Sequence, residues 1–544
     1  MRYDPFPTPS QVDCVHPSRK TADFLNPSQQ VSFGNDHTRA PDWSAQERTH
    51  FRRCLAASAF LFVIYAIFST GYLHPDEYLQ TVEFASSKLG ITDTAELAWE
   101  YREKMRSWLQ PAFYVVVDEA AEALGIRRPM ALLFVFRLVT GLVSWSALWT
   151  LIIAGRRWID GEDQRRRLYS IAALLWLLPL LGVRTSGETA ATAALCFAIA
   201  SLEWRAGLQD RMLRFLAAVL GGLAFGLCFG LRYPSGVMAA GAGLWYLYST
   251  RQRLSLFVEL GLGLALGATL ALALGVIIDR WGYGTTTFPV YSYLHQNFIE
   301  DRAAAFGTAP FFGYLYLPLQ NLMAPLVLLL LAATVIAWVR RPRSALTWAS
   351  APYVALLCIT AHKETRFLYP LVPFLPFFVV FALAPEPPAR FTSALKWLVS
   401  GRRLHPSYVW NACGLLSVLF ISLRPEFTVY QMLETRSYAT EGLLEVALVH
   451  PPGRKLYWYL NIHHAFIEPK NLRLTPTSVA TLEAKRTRGE TFLAIVDNPR
   501  RVPEPAAWLR SSCTRVWSSW PPWLEPYNYF RWQERSSWLE FYAC

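Results

Sequence analysis

Apolar stretches of membrane-crossing length recur from residue 54 to residue 423 of this chain, and they restrict its fold more than any other feature. A hydrocarbon core about 30 Å thick offers no water to backbone N–H and C=O groups, so each crossing has to satisfy them internally, as a helix does. Candidate spans lie at 54–70, 129–154, 168–183, 188–203, 214–231, 235–249, 255–278, 318–339, 345–360, 367–384 and 407–423. This pattern predicts an α-helical polytopic membrane protein with about 11 transmembrane helices. A composition of 53% hydrophobic residues with 21 Trp agrees.

The formal charge of +12 would suit nucleic acid, but Arg is gathered in short clusters between spans. Turning the spans alternately puts Arg48/Arg52/Arg53, Arg156/Arg157/Arg165/Arg166/Arg167, Arg205/Arg211/Arg214, Arg251/Arg253, Arg340/Arg341/Arg343 and Arg390/Lys396/Arg402/Arg403 on one face. The positive-inside bias makes that face cytoplasmic, which accounts for the charge without a nucleic-acid partner. The opposite face then carries residues 71–128, 279–317, His362-Lys363-Glu364 and everything beyond about 424.

Three regions follow. Residues 1–52 are polar and read as a disordered cytoplasmic tail, 53–424 as the transmembrane domain, and 425–544 as a small mixed α/β domain outside the cytoplasm. No signal peptide is evident, so the first span itself is expected to insert the chain. The last region holds short β-like runs at Lys455–Ile462, Thr491–Val496 and Arg515–Trp520, and several Trp that suit a small aromatic core. It also holds Cys513 and Cys544, which an oxidising compartment would allow to pair, although their spacing does not set their distance. In the first loop, Asp93-Thr94-Ala95-Glu96 has the form of a capping box. Leu97, Tyr101, Met105 and Trp108 follow at helical spacing, which predicts an amphipathic helix beside the membrane.

His74-Pro75-Asp76-Glu77 stands directly after the first span. Adjacent carboxylates at the mouth of a span are costly to bury and do nothing for packing, which marks them as the centre of an active site. Transfer of a group from a phosphate to a hydroxyl needs a base, cations for the leaving phosphate and shelter from water. The outer face supplies these. Asp76 or Glu77 can be the base, while His362, Lys363, Arg366, Arg184 and Arg232 can neutralise a phosphate. Snorkelling accounts equally well for Arg184 or Arg232 taken singly, but the positive-inside bias disfavours Arg on this face. Asp279 either positions an acceptor or pairs with Arg280. His463-His464 reads as a plain surface pair, because neighbours on a strand face opposite ways.

His-Pro-Asp-Glu-Tyr-x-Gln at 74–80 and His-Lys-Glu-x-Arg-Phe at 362–367, with Arg184-Thr185 and Phe-Gly-x-x-Pro-Phe at 306–311 between them, resemble glycosyltransferase family 22. The resemblance covers roughly 70–425, and His-Pro-Asp-Glu is closer to the GPI-anchor mannosyltransferase branch than to the oligosaccharide-extending ones. It implies a GT-C glycosyltransferase fold with its site on the lumenal or periplasmic surface. The implied donor is a polyprenyl-phosphate (dolichyl-phosphate) mannose, the acceptor a glycolipid or glycan, and the product an inverted α-mannoside. Position in the motif makes Asp76 the base, with Glu77 orienting the acceptor or the Asp, and His74 beside them. His362, Lys363 and Arg366 would hold the donor phosphate, and Glu364 would keep the flanking cations in place. No metal or cofactor is implied.

Ser186-Gly187 and Pro310-Phe311-Phe312-Gly313-Tyr314 depart from the family's usual Ser-Asn and Pro-Trp-x-Trp-Tyr, a difference that bears on the acceptor. The basic tail, Ala/Leu/Arg-rich spans and lack of an N-x-Ser/Thr site lean towards a prokaryotic homologue, with the protein then in a bacterial inner membrane rather than the ER. Two alternatives are a GT-C transferase of another polyprenyl-phosphate sugar and a lipid or sugar transporter. Transporters gather ionisable residues near the midplane, whereas here they collect at one surface.

Overall fold

The computed structural model describes residues 42–321, 324–384, 406–420, 424–450, 471–528, 531–536 and 538–544. The β-like run 455–462, the His463-His464 pair, the 390–403 cations and the tail up to residue 41 lie outside the described residues.

Helix α1 (Ala45–Phe68) starts behind Ser44, whose hydroxyl accepts from the Glu47 amide at 2.9 Å. Helical structure therefore begins inside the stretch expected to be disordered, because Glu47 is drawn into a buried ion cluster with Arg156 and Arg165 at 3.0 and 2.9 Å. The first loop carries α2 (Glu83–Lys88) and α3 (Leu109–Ala123). The bundle continues through α4 (Pro129–Gly155), α5 (Glu162–Leu174), α6 (Leu177–Gly182), α7 (Gly187–Arg205), α8 (Arg211–Leu231), α9 (Gly236–Thr250) and α10 (Leu254–Tyr283). After α11 (Pro289–Leu294) come α12 (Ala324–Arg340), α13 (Ala345–Ile359), a 3₁₀ stretch Thr365–Phe374 leading into α14 (Leu375–Leu383), and α15 (Pro406–Phe420).

Helical structure stands at each expected span. Among the described residues, five helical segments are long and apolar enough to cross a membrane: Ala45–Phe68, Pro129–Trp158, Arg211–Leu231, Leu254–Tyr283 and Thr365–Leu383. The expected span 168–183 is broken between α5 and α6. Pro179 cannot donate to the carbonyl four residues back and crowds it, so the chain leaves the helix at Leu175 and restarts. Helix α7 contains Glu188, Glu203 and Arg205, and it tolerates them because most of it is buried among other helices and its charges find partners at both ends.

Two of the Arg clusters come together through shared acidic partners. Arg157 reaches Glu203, while Arg205 and Arg214 reach Glu259 at 3.1 and 3.2 Å. With the Glu47 cluster, these contacts bring together the starts of α1, α5, α8 and α10 and the ends of α4 and α7.

The amphipathic helix expected from Asp93 onward is replaced by short turns, 3₁₀ at Thr94–Glu96 and one α turn at Trp99–Arg102. Lys104 takes a left-handed conformation (φ 52°) that stops the helix. The apolar set still points one way: Leu97, Met105 and Trp108 are buried, with Leu97 and Trp108 packed around Phe84. Burial in a folded loop, rather than contact with lipid, is what the stripe serves.

Beyond α16 (Pro425–Ala439) lies a five-stranded sheet of β1 (Leu444–Val449), β2 (Leu472–Pro476), β3 (Leu493–Asp497), β4 (Thr514–Ser518) and β5 (Leu539–Ala543), in the order β2-β1-β3-β5-β4. Strand β1 runs parallel to β2 and β3, and β5 antiparallel to β3 and β4. Because side chains alternate across a strand, Ala447, Val449, Ala494 and Val496 face α17 (Val479–Thr487) and α18 (Pro503–Ser512). Val446, Leu448, Ile495 and Phe541 face the other way and pack into one core with Tyr72, Tyr78 and Phe427. That second face ties the domain to the loop holding residues 74–77. Cys513, just before β4, and Cys544, just after β5, form a disulfide.

Candidate active site

Everything at the site is hung from the turn that follows α1. Gly71 takes φ +89°, and a Cβ there would stand 2.6 Å from Arg424 Cβ, so only glycine lets the chain double back beneath α16. Pro75 then opens a tight turn in which the Tyr78 amide donates to the Pro75 carbonyl at 2.9 Å. In such a turn neighbouring side chains diverge, and Asp76 and Glu77 do.

Glu77 points inward. Its Oε1 accepts from the Leu73 and His74 amides at 2.9 and 3.2 Å, and its Oε2 lies 3.8 Å from Arg184. Burial pushes its pKa up against Arg184 and these amides. Asp76 points outward, into a cavity of about 1100 Å³. Arg366 Nη1 donates to its Oδ2 at 2.6 Å, and His74 Nδ1 lies 3.4 Å from its Oδ1. Burial raises the Asp76 pKa, but Arg366, His74 and Arg106 outweigh it and hold the carboxyl well below the usual carboxylate range.

The motif at 362–367 meets this turn from the other side. Glu364 accepts from His362 Nε2 at 2.8 Å and from Arg366 Nε, and its Oε2 lies 3.4 Å from His74 Nε2. Burial raises Glu364, yet the His362 bond and Arg366 bring its pKa down to about 2. The hydrogen bond to Glu364 correspondingly raises His362, whose Nδ1 bonds the Gly307 carbonyl at 2.7 Å. Arg232 also lines the cavity, over the Phe367 ring and bonded to Glu188 at 3.0 Å.

Of the residues singled out by sequence, His74, Asp76, Arg232, His362, Glu364 and Arg366 line this cavity. Four do not. Glu77 serves the turn. Arg184 is buried behind it, donating to the Ser69 and Gly71 carbonyls at 2.8 and 3.0 Å, while Thr185 donates to the Glu77 carbonyl. This Arg-Thr pair clamps the turn instead of meeting a phosphate, because carbonyls at the end of α1 lie nearer than the cavity does. Lys363 is turned away by the alternation of side chains along residues 362–364, and its ammonium donates to the Ala309 and Thr360 carbonyls, pinning the Phe306–Phe311 motif. Asp279 neither faces the cavity nor pairs with Arg280. Its Oδ1 accepts from the Trp108 amide at 2.6 Å and from Ser107 Oγ at 3.0 Å, fixing the end of the first loop. Glu364 does hold its neighbours in place, but they are Arg366, His362 and His74 rather than Lys363.

Sequence reasoning missed Arg106, Glu100 and Glu188. Arg106 lines the cavity, bonded to Glu100 at 2.6 Å and lying over the Tyr293 ring. Glu188 touches both Arg232 and Arg366, at 3.0 and 3.9 Å, and its presence in a predicted span was the signal for it. Arg106 had no such signal among the mixed charges of its loop. The rest of the lining is mixed: Glu83, Glu96, Arg102, Asn297 and Asp301 are polar, while Phe229, Val237, Val290, Leu294, Phe298, Leu356, Leu357 and Ile359 form an apolar stretch. One cavity therefore joins a charged floor around Asp76 to an apolar wall.

The sequence model of the Alg9-like mannosyltransferase family matches residues 55–442. GPI mannosyltransferase 3 of Yarrowia lipolytica is 28% identical over 340 residues, 61% of this chain and 62% of that protein. GPI alpha-1,2-mannosyltransferase 3 of Xenopus laevis is 22% identical over 324 residues, 59% and 57% of the two. The chain thus matches less than two thirds of the length of these curated relatives. Among solved structures, ArnT from Cupriavidus metallidurans in the apo state matches with a TM-score of 0.43 at 13% identity, covering 91% of this chain and 98% of that one.

Proposed function

Because the chain belongs to the Alg9-like mannosyltransferase family, matched over residues 55–442, we propose that it moves mannose from a polyprenyl-phosphate mannose to a hydroxyl of a glycolipid or glycan acceptor, forming an α-mannoside with inversion. The observation that carries this reading is Asp76 on the floor of a cavity that also presents Arg366, Arg232 and His362 and continues into an apolar wall. A lipid-linked phosphosugar has these three demands in one molecule: an apolar tail, a phosphate and a reacting carbon.

In the proposed step the acceptor oxygen bonds C1 of mannose as the C1–O bond to phosphate breaks, and polyprenyl phosphate leaves with the electron pair. The acceptor proton passes to Asp76. A carboxylate held low is a weak base, so it takes this proton once the bond to C1 has made the oxygen acidic. The cations Arg232, Arg366 and His362 stabilise the charge that develops on the phosphate. The site lies at the end of the bundle opposite the Arg clusters, on the side of the disulfide-bonded domain, which supports an extracytoplasmic position.

The test is transfer of labelled mannose from synthetic polyprenyl-phosphate mannose to membrane glycolipids by purified protein. Wild type is expected to label a glycolipid, with the label released by an α-mannosidase, and Asp76→Asn to lose this by about 10³-fold or more at unchanged thermal stability. Transfer by Asp76→Asn at the wild-type rate would remove Asp76 from the step. Labelling only with another polyprenyl-phosphate sugar would change the donor.

A further inference from the structure

Arg106 occupies a position that neither the sequence motifs nor the step above uses. Its Nε and Nη2 both donate to Glu100 Oε1, at 3.2 and 2.6 Å, and Gln80 Nε2 shares that oxygen at 3.2 Å. Among the described residues no group accepts from Arg106 Nη1, although the residue lines the cavity. A guanidinium that lines a cavity with a donor left over is equipped to take an anion there.

Its place in the cavity says which anion. The plane of Arg106 lies over the Tyr293 ring, whose helix α11 also supplies Val290 and Leu294 to the apolar wall. Tyr293 in turn packs on Tyr233, the neighbour of Arg232. Arg106 also adds to the pull that lowers the Asp76 pKa, after Arg366 and His74. Arg106 therefore stands where the apolar wall meets the charged floor. In a phosphosugar with a lipid tail, the phosphate is the group between the apolar part and the reacting carbon, so it falls at this boundary.

Resting on the functional reading above, we propose that Arg106 binds the phosphate of the lipid donor and of the lipid phosphate product, and that Glu100 is the counter-ion it exchanges for that phosphate. Glu100 keeps a buried cation paired while the site is empty, and competes with the product phosphate so that it can leave. No covalent bond changes in this exchange.

The experiment measures binding of a polyprenyl monophosphate in detergent micelles to full-length wild type, Arg106→Gln, Arg106→Lys and Glu100→Gln, together with KM and kcat for polyprenyl-phosphate mannose. Arg106→Gln is expected to weaken lipid phosphate binding by about 10- to 100-fold, with KM rising more than kcat falls. Arg106→Lys should fall between it and wild type, and Glu100→Gln should bind the monophosphate more tightly than wild type. Equal binding by wild type and Arg106→Gln overturns the proposal while leaving the transferase reading intact. A Glu100→Gln loss that matches the Arg106→Gln loss overturns it too, since the pair would then be a structural brace. Wild type that neither binds the monophosphate nor uses the donor sinks the transferase reading itself, and the proposal with it.

Discussion

Two carboxylates adjacent in sequence do opposite work. Asp76 faces the cavity and pairs with Arg366, while Glu77 turns inward to collect the Leu73 and His74 amides of its own turn. Their substitutions should separate accordingly. Replacing Glu77 with Ala strips the Leu73 and His74 amides of their acceptor and leaves the buried Arg184 without its counter-charge. A loss of about 2–4 kcal/mol is expected, read as a lower thermal midpoint in detergent, and Glu77→Gln should recover part of it by keeping one oxygen. Unchanged stability in Glu77→Ala would mean that the turn is held by something else. Lys363 carries the same lesson, since one residue to either side of it faces the cavity while its own ammonium is spent on carbonyls. Residue type announced which chemistry was present at 74–77 and 362–366. Direction came from the turn, and single-residue direction is not encoded in spacing unless the element is regular.

At the scale of elements, regular helices were legible and irregular segments were not. Spans were readable because apolar length suffices to identify them, whereas the Asp93–Trp108 stripe was read as a helix and is a set of turns around Phe84 and Trp108. Helix α3 shows a cost hidden in another element. Asp118 is buried on it, and burial first, then Glu122 and Glu119, push its pKa up to about 6. With a folded pKa above the ordinary value of 3.8, the folded state holds the proton more tightly. Stability therefore declines as pH rises from the ordinary value to the raised one, and the full penalty applies above it. Asp118→Asn removes the charge and should gain about 1–3 kcal/mol near pH 8, with the gain shrinking towards pH 4. Thermal midpoints at the two pH values check this, and a gain of equal size at both would show that charge is not the cause.

At the scale of the whole molecule, one sheet looks two ways. One face packs on α17 and α18, and the other shares a core with Tyr72 and Tyr78, which flank the Asp76 turn. The C-terminal domain is therefore a support for the site. The Cys513–Cys544 disulfide closes a loop of 31 residues in sequence separation, joining the chain just before β4 to its end after β5. Cys544→Ser should cost the domain about 2–4 kcal/mol, appearing as earlier proteolysis beyond residue 424 and a lower transfer rate in the same preparation. Earlier proteolysis with full transfer would show that the domain does not support the catalytic turn.

By itself the sequence determined that this chain is a helical membrane protein and singled out the charged motifs at 74–77 and 362–367, because apolar length and residue type are local quantities. The tertiary structure alone decided which of those charges share a cavity. It placed Asp76, Arg232, His362 and Arg366 around one space, added Arg106, set Glu188 against Arg232, and withdrew Arg184, Lys363 and Asp279 to backbone carbonyls and amides. A buried charge takes whichever partner the packing brings nearest, whether that is 6 residues away, as for Arg106 and Glu100, or 290, as for Asp76 and Arg366.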